Sequence, residues 1–247
     1  MVVMEVPRIE QAASRKEPLS DAYGAPVGGR YRRTPDEEDD LRALEELFWT
    51  LDLGPRHRVE LLDGRIEVSP KPAHWHERAV MWLIRGFDPV CQENGWDPTP
   101  GADLPLPPDG DIIEPDYIIA RDPDAIPDER SVVPQDQTLL VAEICSPSSI
   151  RQDREVKPLK CARAGIPLYL LVDRFTQPMT ITLMSEPGEQ GYRRIETVHA
   201  GPDGGTLVVP APFDITIDAS TLPEFRSAAS KREGQPVEGI SPEQQDF

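Results

Sequence analysis

The chain has 247 residues, of which 38% are hydrophobic, so it can bury one sizeable α/β core or two small ones. Its formal net charge of −18 argues against a general nucleic-acid coat protein, which would be basic. The excess acid lies in residues 36–222, which hold 17 basic and 35 acidic side chains. Any contact with nucleic acid must therefore use a local basic patch together with bound cations.

No run of eighteen apolar residues occurs, and the start of the sequence lacks an apolar stretch with a cleavage site. We therefore expect no membrane span, no secretory signal and a cytoplasmic location. Cys91, Cys145 and Cys161 form no CxxC pair, which fits reduced thiols better than disulfides or a zinc cage. Residues 1–33 and 224–247 mix Pro, Gly and charge without periodicity, so we expect mobile tails there.

The predicted single domain, residues 34–223, opens with a helix. Thr34, Pro35 and Glu37 have the spacing of a capping box with proline at the first helical position. An apolar face follows at helical spacing, at positions 41, 44, 47, 48 and 51.

A hairpin and a second helix come next. The segment RVELLDGRIEVS predicts two short strands around Asp63-Gly64, a dipeptide typical of tight hairpins. The second helix should run over residues 74–93, kinked or ended by Pro89. HERAV, residues 76–80, lacks the second histidine of HExxH, which excludes a zinc protease of that type. His74 and His76 could bind a metal as H-x-H, but a surface loop is the interpretation we favour.

Further strands and a third helix complete the domain. The apolar runs at residues 116–120 and 139–145 have strand length, and a helix is predicted at 152–164, ending at Gly165. Later strands are predicted at residues 167–173, 179–185, 192–199 and 206–218. The fold class is α/β (α+β), with helices packed on a central mixed sheet.

Two carboxylates occupy unusual places in these strands. Asp116 opens one apolar strand, and Glu143 lies inside another, LLVAEICSP. A buried ionised carboxylate is costly unless it is paired or binds a metal. Neighbouring strands could bring both together to bind Mg²⁺, which prefers oxygen ligands. That each carboxylate pairs with an Arg or Lys of the fold is an equally open alternative.

A basic stretch follows Glu143 directly. Five cations recur every three residues, at Arg151, Arg154, Lys157, Lys160 and Arg163. Such a stripe winds round a helix, so only two or three of them can face one ligand. A phosphate backbone beside a metal would need such a patch. A solvated amphipathic helix is the alternative.

Six segments in this order resemble the Uma family of restriction endonucleases, a branch of the PD-(D/E)XK nuclease superfamily. They are VELLDGRIEVSP, HERAV, EPDYIIA, LLVAEICSPSS, DREVK and AGIPLYLLVD, spread over roughly residues 36–220. The resemblance implies a restriction-endonuclease-like fold and metal-dependent cleavage of nucleic acid, with DNA favoured.

Asp116 stands at the PD position of the superfamily motif and Glu143 at the D/E position. Cys145 occupies the place of the motif lysine, and the resemblance implies that Asp153 and Lys157 supply its function as D-x-x-x-K from the next helix. This chain departs from the family pattern elsewhere. It has Cys161 where an aromatic residue is usual, Pro158 directly after the lysine, and LYL, residues 168–170, where an acidic residue and Tyr-Trp are common.

The resemblance thus implies a complete set of roles. Mg²⁺ (or Mn²⁺) would be held by Asp116, Glu143 and the backbone carbonyl of Cys145. Lys157 and Glu60, the acidic residue of the first hairpin, would act beside the metal. Nucleic-acid contacts are expected from Arg154, Lys160 and His76. A homodimer is one assembly left open.

Three other functions remain open at this point. The protein could be a catalytically degenerate nuclease that only binds nucleic acid, or an interaction protein that uses its acidic surface. It could also be a metal-dependent hydrolase that acts on a different phosphate ester.

Overall fold

The computed structural model describes residues 2–4, 35–54, 57–70, 74–126 and 131–225. The helices are α1 (Pro35–Thr50), α2 (His74–Asn94) and α3 (Lys157–Arg163), and a π-helical turn, Gln152–Val156, leads into α3. The strands are β1 (Val2–Met4), β2 (His57–Leu62), β3 (Arg65–Pro70), β4 (Asp97–Thr99), β5 (Leu104–Leu106), β6 (Asp111–Ile113), β7 (Tyr117–Ala120), β8 (Thr138–Ile144), β9 (Leu168–Asp173), β10 (Thr180–Ser185), β11 (Arg194–His199), β12 (Thr206–Val209) and β13 (Ile215–Asp218).

A six-stranded mixed sheet, in the order β11-β10-β9-β8-β7-β4, forms the centre of the fold. Strands β8 and β9 are parallel and are joined by the segment that holds α3, while the other pairs are antiparallel. Every residue of β8 and β9 is buried, as expected for parallel strands that are covered on both faces. The carboxyl ends of β8 and β9 therefore lie at the same edge of the sheet.

The two faces of the central sheet carry separate hydrophobic cores. Leu140, Ala142 and Ile144 of β8 pack with α2 and with the β12–β13 hairpin. Val141 and Cys145 face the other way, toward α3 and strands β5 and β6. Because side chains alternate along a strand, Glu143 belongs to the second face, together with Val141 and Cys145.

A second, antiparallel sheet has the order β1-β3-β2-β6-β5, and α1 covers part of it. The β2–β3 hairpin turns at Asp63 and Gly64, whose φ angles are 51° and 68°. Positive φ at both central residues is the signature of the type I′ turn that the Asp-Gly dipeptide predicts. This hairpin carries Arg58 and Glu60 toward the start of α3, where Glu60 contacts Lys157.

The predicted mixed central sheet flanked by helices is confirmed, and the second sheet adds to it. Residues 206–218, predicted as one strand, form the two strands β12 and β13 instead. Pro210 and Pro212 lie between them, and a proline cannot donate a ladder hydrogen bond. Within the described ranges, no helix has both the length and the apolar composition that crossing a membrane requires.

Parts of both expected tails are attached to the domain. Strand β1 pairs antiparallel with β3, from Val2 opposite Val68 to Met4 opposite Ile66. At the other end, the ring of Phe225 lies edge-on to Trp75, with ring centroids 5.8 Å apart. The rest of the expected tails, residues 1, 5–33 and 226–247, lies outside the described residues, as does Thr34 of the predicted capping box, so the mobility of the tails stays a prediction.

Gly64→Ala should lower the free energy of unfolding by about 1–2 kcal/mol, since alanine is strained in the left-handed region. An added methyl group there would meet no atom within 4 Å, so the effect isolates backbone strain. Gly86→Ala is the matched control. It lies inside α2, its methyl group would touch Ile217 at 3.8 Å, and it should raise stability by roughly 0.5–1 kcal/mol. Urea denaturation measures both changes, and a Gly64→Ala protein as stable as the wild type would contradict the turn assignment.

Candidate functional site

The register between β7 and β8 brings the two predicted carboxylates together. Tyr117 pairs with Ala142 and Ile118 with Val141. One further step of this register places Asp116 opposite Glu143, with both side chains on the same face of the sheet. Both residues are buried, at 4% and 1% exposure.

Asp116 is fully engaged by donors from three elements. Its Oδ1 accepts a hydrogen bond from the guanidinium of Arg58, while Oδ2 accepts from the backbone N–H of Ile144 at 2.7 Å and lies 2.8 Å from Nε2 of His76. Burial by itself would raise the pKa of Asp116, but Arg58 and His76 outweigh it and hold that pKa below its usual range. Asp116 is therefore ionised and fixed in orientation.

Glu143 has only one of its oxygens satisfied. Oε1 accepts a hydrogen bond from Nζ of Lys157 at 2.8 Å, whereas Oε2 is buried and has no hydrogen-bond partner among the described residues. Burial raises the pKa of Glu143 well above its usual value, and the attraction of Lys157 only partly offsets this. A buried carboxylate oxygen without a donor is uncommon and needs an explanation.

Lys157, at the first position of α3, is the central cation of the site. Its Nζ lies 2.9 Å from Oε1 of Glu60, 2.8 Å from Glu143 and 3.5 Å from Asp153. Burial disfavours the ammonium, but these three carboxylates raise the pKa of Lys157 well above its usual value. Glu60 is itself held by the backbone N–H of Glu114 at 3.0 Å.

Asp153, in the π-helical turn, is also buried and accepts a hydrogen bond from the hydroxyl of Ser149. Burial raises the pKa of Asp153 to about 6, against the opposing attraction of Lys157. Burial therefore acts against ionisation of both Glu143 and Asp153, and one ammonium serves both. An additional positive charge at this cluster would therefore stabilise the ionised forms of Glu143 and Asp153.

An open pocket of about 200 Å³ leads from the surface to this cluster. Arg58, His76 and Lys157 contribute donors to its wall, and Glu60 and Glu67 contribute acceptors. The serine-rich loop after β8, residues 146–149, adds hydroxyl groups. Asp116 and Glu143 lie beneath the wall, so a small ion could reach their carboxylates but a bulky group could not.

The carboxylate pair meets part of the chemistry of a divalent metal site. In the described residues, no group of three or more His, Cys, Asp and Glu side chains is arranged to hold a metal ion. The carboxylate oxygens are still the type of ligand that a hard cation prefers, and Glu143 offers an unpartnered oxygen beside Asp116. For Asp116 to bind a metal ion, either Arg58 or His76 would have to release its carboxylate oxygen.

The three residues predicted to contact nucleic acid have other partners. His76 is buried in α2 and holds Asp116, so the surface-loop interpretation is wrong. Arg154 is bound to Asp173 through Nε at 2.7 Å and Nη2 at 2.6 Å. Lys160 contacts three carboxylates of the second sheet: Asp63 and Asp109 lie in turns, and Asp111 is the first residue of β6. Three carboxylates around Lys160 disfavour a phosphate there, and these nucleic-acid roles stay predictions.

Sequence reasoning missed Arg58 and Glu67. Arg58 lies two residues before Glu60 on β2, and Glu67 lies opposite Glu60 on β3. The alternation of polar and apolar residues in RVELL was the available signal, because positions 58 and 60 must share a face. For Cys145, the structure shows its N–H bonded to the carbonyl of Val172, and the predicted contact of its own carbonyl with a metal stays a prediction.

Lys157→Met should destabilise the protein by about 3–5 kcal/mol, because it leaves three buried carboxylates without their common cation. Arg151→Met is the matched control, since Arg151 makes an exposed ion pair with Glu155 and should change stability by less than about 0.5 kcal/mol. Thermal and urea unfolding of both variants test this. A Lys157→Met protein as stable as the wild type would show that the carboxylates are neutral.

Comparison with known proteins adds independent findings. A family model described as "Putative restriction endonuclease" (Uma2) matches residues 38–220. A solved structure, that of "a putative nuclease belonging to DUF820 from Anabaena variabilis ATCC 29413", is similar with a TM-score of 0.55 and 18% identity. The similarity covers 72% of this chain and 95% of that chain, and at this identity it shows the fold alone. None of the curated proteins matches. Because the family match spans most of the sequence, the chain belongs to the Uma2 restriction-endonuclease family.

Proposed function

We propose that the protein is an endonuclease that hydrolyses phosphodiester bonds in nucleic acid, with DNA as the favoured substrate and Mg²⁺ or Mn²⁺ as the cofactor. The observation that carries this proposal is the buried pair Asp116 and Glu143, with Lys157 beside it, beneath an open pocket. Membership of a restriction-endonuclease family supports the same reaction class.

Asp116, Glu143 and the backbone carbonyl of Cys145 would hold the cation. When bound, it would supply Lewis-acid chemistry by polarising the scissile phosphate and lowering the pKa of a water molecule. The unpartnered oxygen of Glu143 is the atom that such an ion would satisfy first. Two further positive charges would also relieve the repulsion among the buried carboxylates.

Lys157 has the position and charge of an electrostatic catalyst. Its ammonium is held charged by Glu60, Glu143 and Asp153, and its side chain forms part of the pocket wall. In that place it would donate to a phosphoryl oxygen or orient the attacking water. Glu60 acts through Lys157, because its Oε1 fixes the ammonium at 2.9 Å.

Arg58 and His76 would assist from the opposite wall. His76 keeps the carboxylate of Asp116 in one orientation. Arg58 is partly exposed to the pocket, and a cation on Asp116 would weaken the hold of that carboxylate on the guanidinium. The freed guanidinium would then be available to bind a phosphate oxygen in its bidentate manner.

A degenerate nuclease that binds nucleic acid without cleaving it is the second candidate. It is favoured by the ion pairs that already neutralise both carboxylates, Arg58 with Asp116 and Lys157 with Glu143. Metal-dependent turnover on DNA and RNA separates the two candidates. Small phosphodiesters in the same panel test for a hydrolase of another phosphate ester.

Glu143→Gln should abolish cleavage, with a loss of at least about 100-fold, because the amide removes the charge that holds the cation. Gln is nearly isosteric, so the strand should keep its packing. Glu155→Gln, on the exposed side of the π-helical turn that precedes Lys157, is the control and should retain full activity. Cleavage is measured in Mg²⁺, in Mn²⁺ and in EDTA, with thermal melting of each variant. Full activity of Glu143→Gln would dispose of the mechanism.

A further inference from the structure

A group of aromatic rings surrounds Arg174 at the edge of the central sheet where the carboxylate site lies. Arg174 directly follows β9, which runs parallel to β8 and ends at the same edge. The backbone N–H of Cys145, two residues beyond Glu143, donates to the carbonyl of Val172, two residues before Arg174. Trp75, which contacts Arg174, precedes His76 of the pocket wall. We refer to Trp75, Arg174, Phe175 and Phe225 as the aromatic cluster.

The guanidinium of Arg174 is in cation–π contact with all three rings. Its Cζ lies 4.4 Å from the centroid of Phe175, 4.3 Å from that of Phe225 and 5.6 Å from that of Trp75. Phe175 and Phe225 are 38% and 41% exposed, which is high for large apolar side chains. The cluster therefore presents aromatic surface to solvent, with the partly exposed guanidinium of Arg174 lying over the rings.

Hydrogen bonds fix the cluster in place before any ligand binds. Asp173 accepts from the backbone N–H of Phe175 at 2.9 Å with one oxygen and from Arg154 with the other. Trp75 donates its indole N–H to the carbonyl of Pro223 at 2.8 Å, which anchors the segment that ends in Phe225. Preorganised rings lose little conformational entropy when a partner stacks on them.

Charge favours a polyanionic partner at this place. The sequence has 44 acidic residues, yet Arg174 makes no ion pair with a carboxylate in the described part of the chain. Arg154 and Lys160, by contrast, are both bound by carboxylates. Arg174 and its rings thus offer positive charge and stacking surface together, at the sheet edge where the proposed cleavage site lies.

We propose that Phe175, Phe225 and Arg174 form a stacking platform for unpaired nucleobases of the strand that enters the pocket, a role that rests on the proposed nuclease function. Aromatic faces and guanidinium planes stack on bases of any sequence, so the platform would favour single-stranded or locally unpaired nucleic acid over intact duplex. It would contribute affinity that does not depend on net charge.

The test measures binding in EDTA, where the wild-type protein cannot turn over with a metal. A fluorescein-labelled single-stranded DNA with an internal 2-aminopurine reports affinity by anisotropy and stacking by fluorescence quenching. An abasic strand of equal length and charge is the second probe. Phe175→Leu keeps an apolar side chain but removes the ring. Ile195→Ala changes an exposed apolar residue of β11. Ile195 is aligned through Met184 of β10 with Tyr169, near the start of β9 and away from its end.

Phe175→Leu should bind the base-containing strand about tenfold more weakly and lose the quenching, since one stacking surface is gone. It should bind the abasic strand as the wild type does, and Ile195→Ala should match the wild type on both probes. Phe225→Leu should repeat the result. Circular dichroism and melting confirm that each variant is folded.

Equal binding of the two strands by the wild type, or unchanged quenching in Phe175→Leu, would overturn the platform. So would a wild type that binds neither strand. A self-association that Phe175→Leu abolishes without affecting DNA would assign the surface to a second copy of the chain instead. A wild type that stacks bases but never cleaves in Mg²⁺ overturns the nuclease proposal and supports the platform.

Discussion

The ammonium of Lys157 is the interaction on which the geometry of the site depends. It joins Glu60 of β2, Glu143 of β8 and Asp153 of the π-helical turn, and thereby ties the second sheet, the central sheet and the third helix to one point. Without this ammonium, three carboxylates would be buried close together with no common cation, and their desolvation and mutual repulsion would destabilise the fold. The same contacts that hold these elements together also keep the ammonium of Lys157 charged at the pocket wall.

Stability and chemistry compete at this point. In the described structure, Arg58 and Lys157 neutralise the carboxylates that a divalent cation would need. The cation and Arg58 are therefore alternative partners of Asp116, and the more firmly the guanidinium is bound, the weaker the metal affinity becomes. Glu143 is less constrained, because one of its oxygens has no donor among the described residues. The described contacts therefore leave one carboxylate oxygen of Glu143 available to a cation.

Much of the fold could be predicted, because its signals are local. Asp63-Gly64 fixes the hairpin turn, and period-two alternation fixes which face of β8 carries Glu143. The pairing of Asp116 with Glu143 followed from their places on adjacent strands. Lys160 cannot be interpreted in this way, since its carboxylate partners Asp63 and Asp111 lie about 100 and 50 residues earlier in the chain. No spacing within the helix reveals such partners, and for the same reason the contacts of Arg58 were not foreseen.

The acidity of the protein constrains how it could bind a polyanion. With a net charge of −18, long-range electrostatics repel nucleic acid except within about a Debye length of a local cation, roughly 8–10 Å. Several basic residues near the site are already held by carboxylates, so counterion release can supply only a small part of the affinity. Short-range interactions must therefore supply the remaining binding affinity. Stacking on exposed rings is such a term, because it acts at contact distance and is not weakened by net charge.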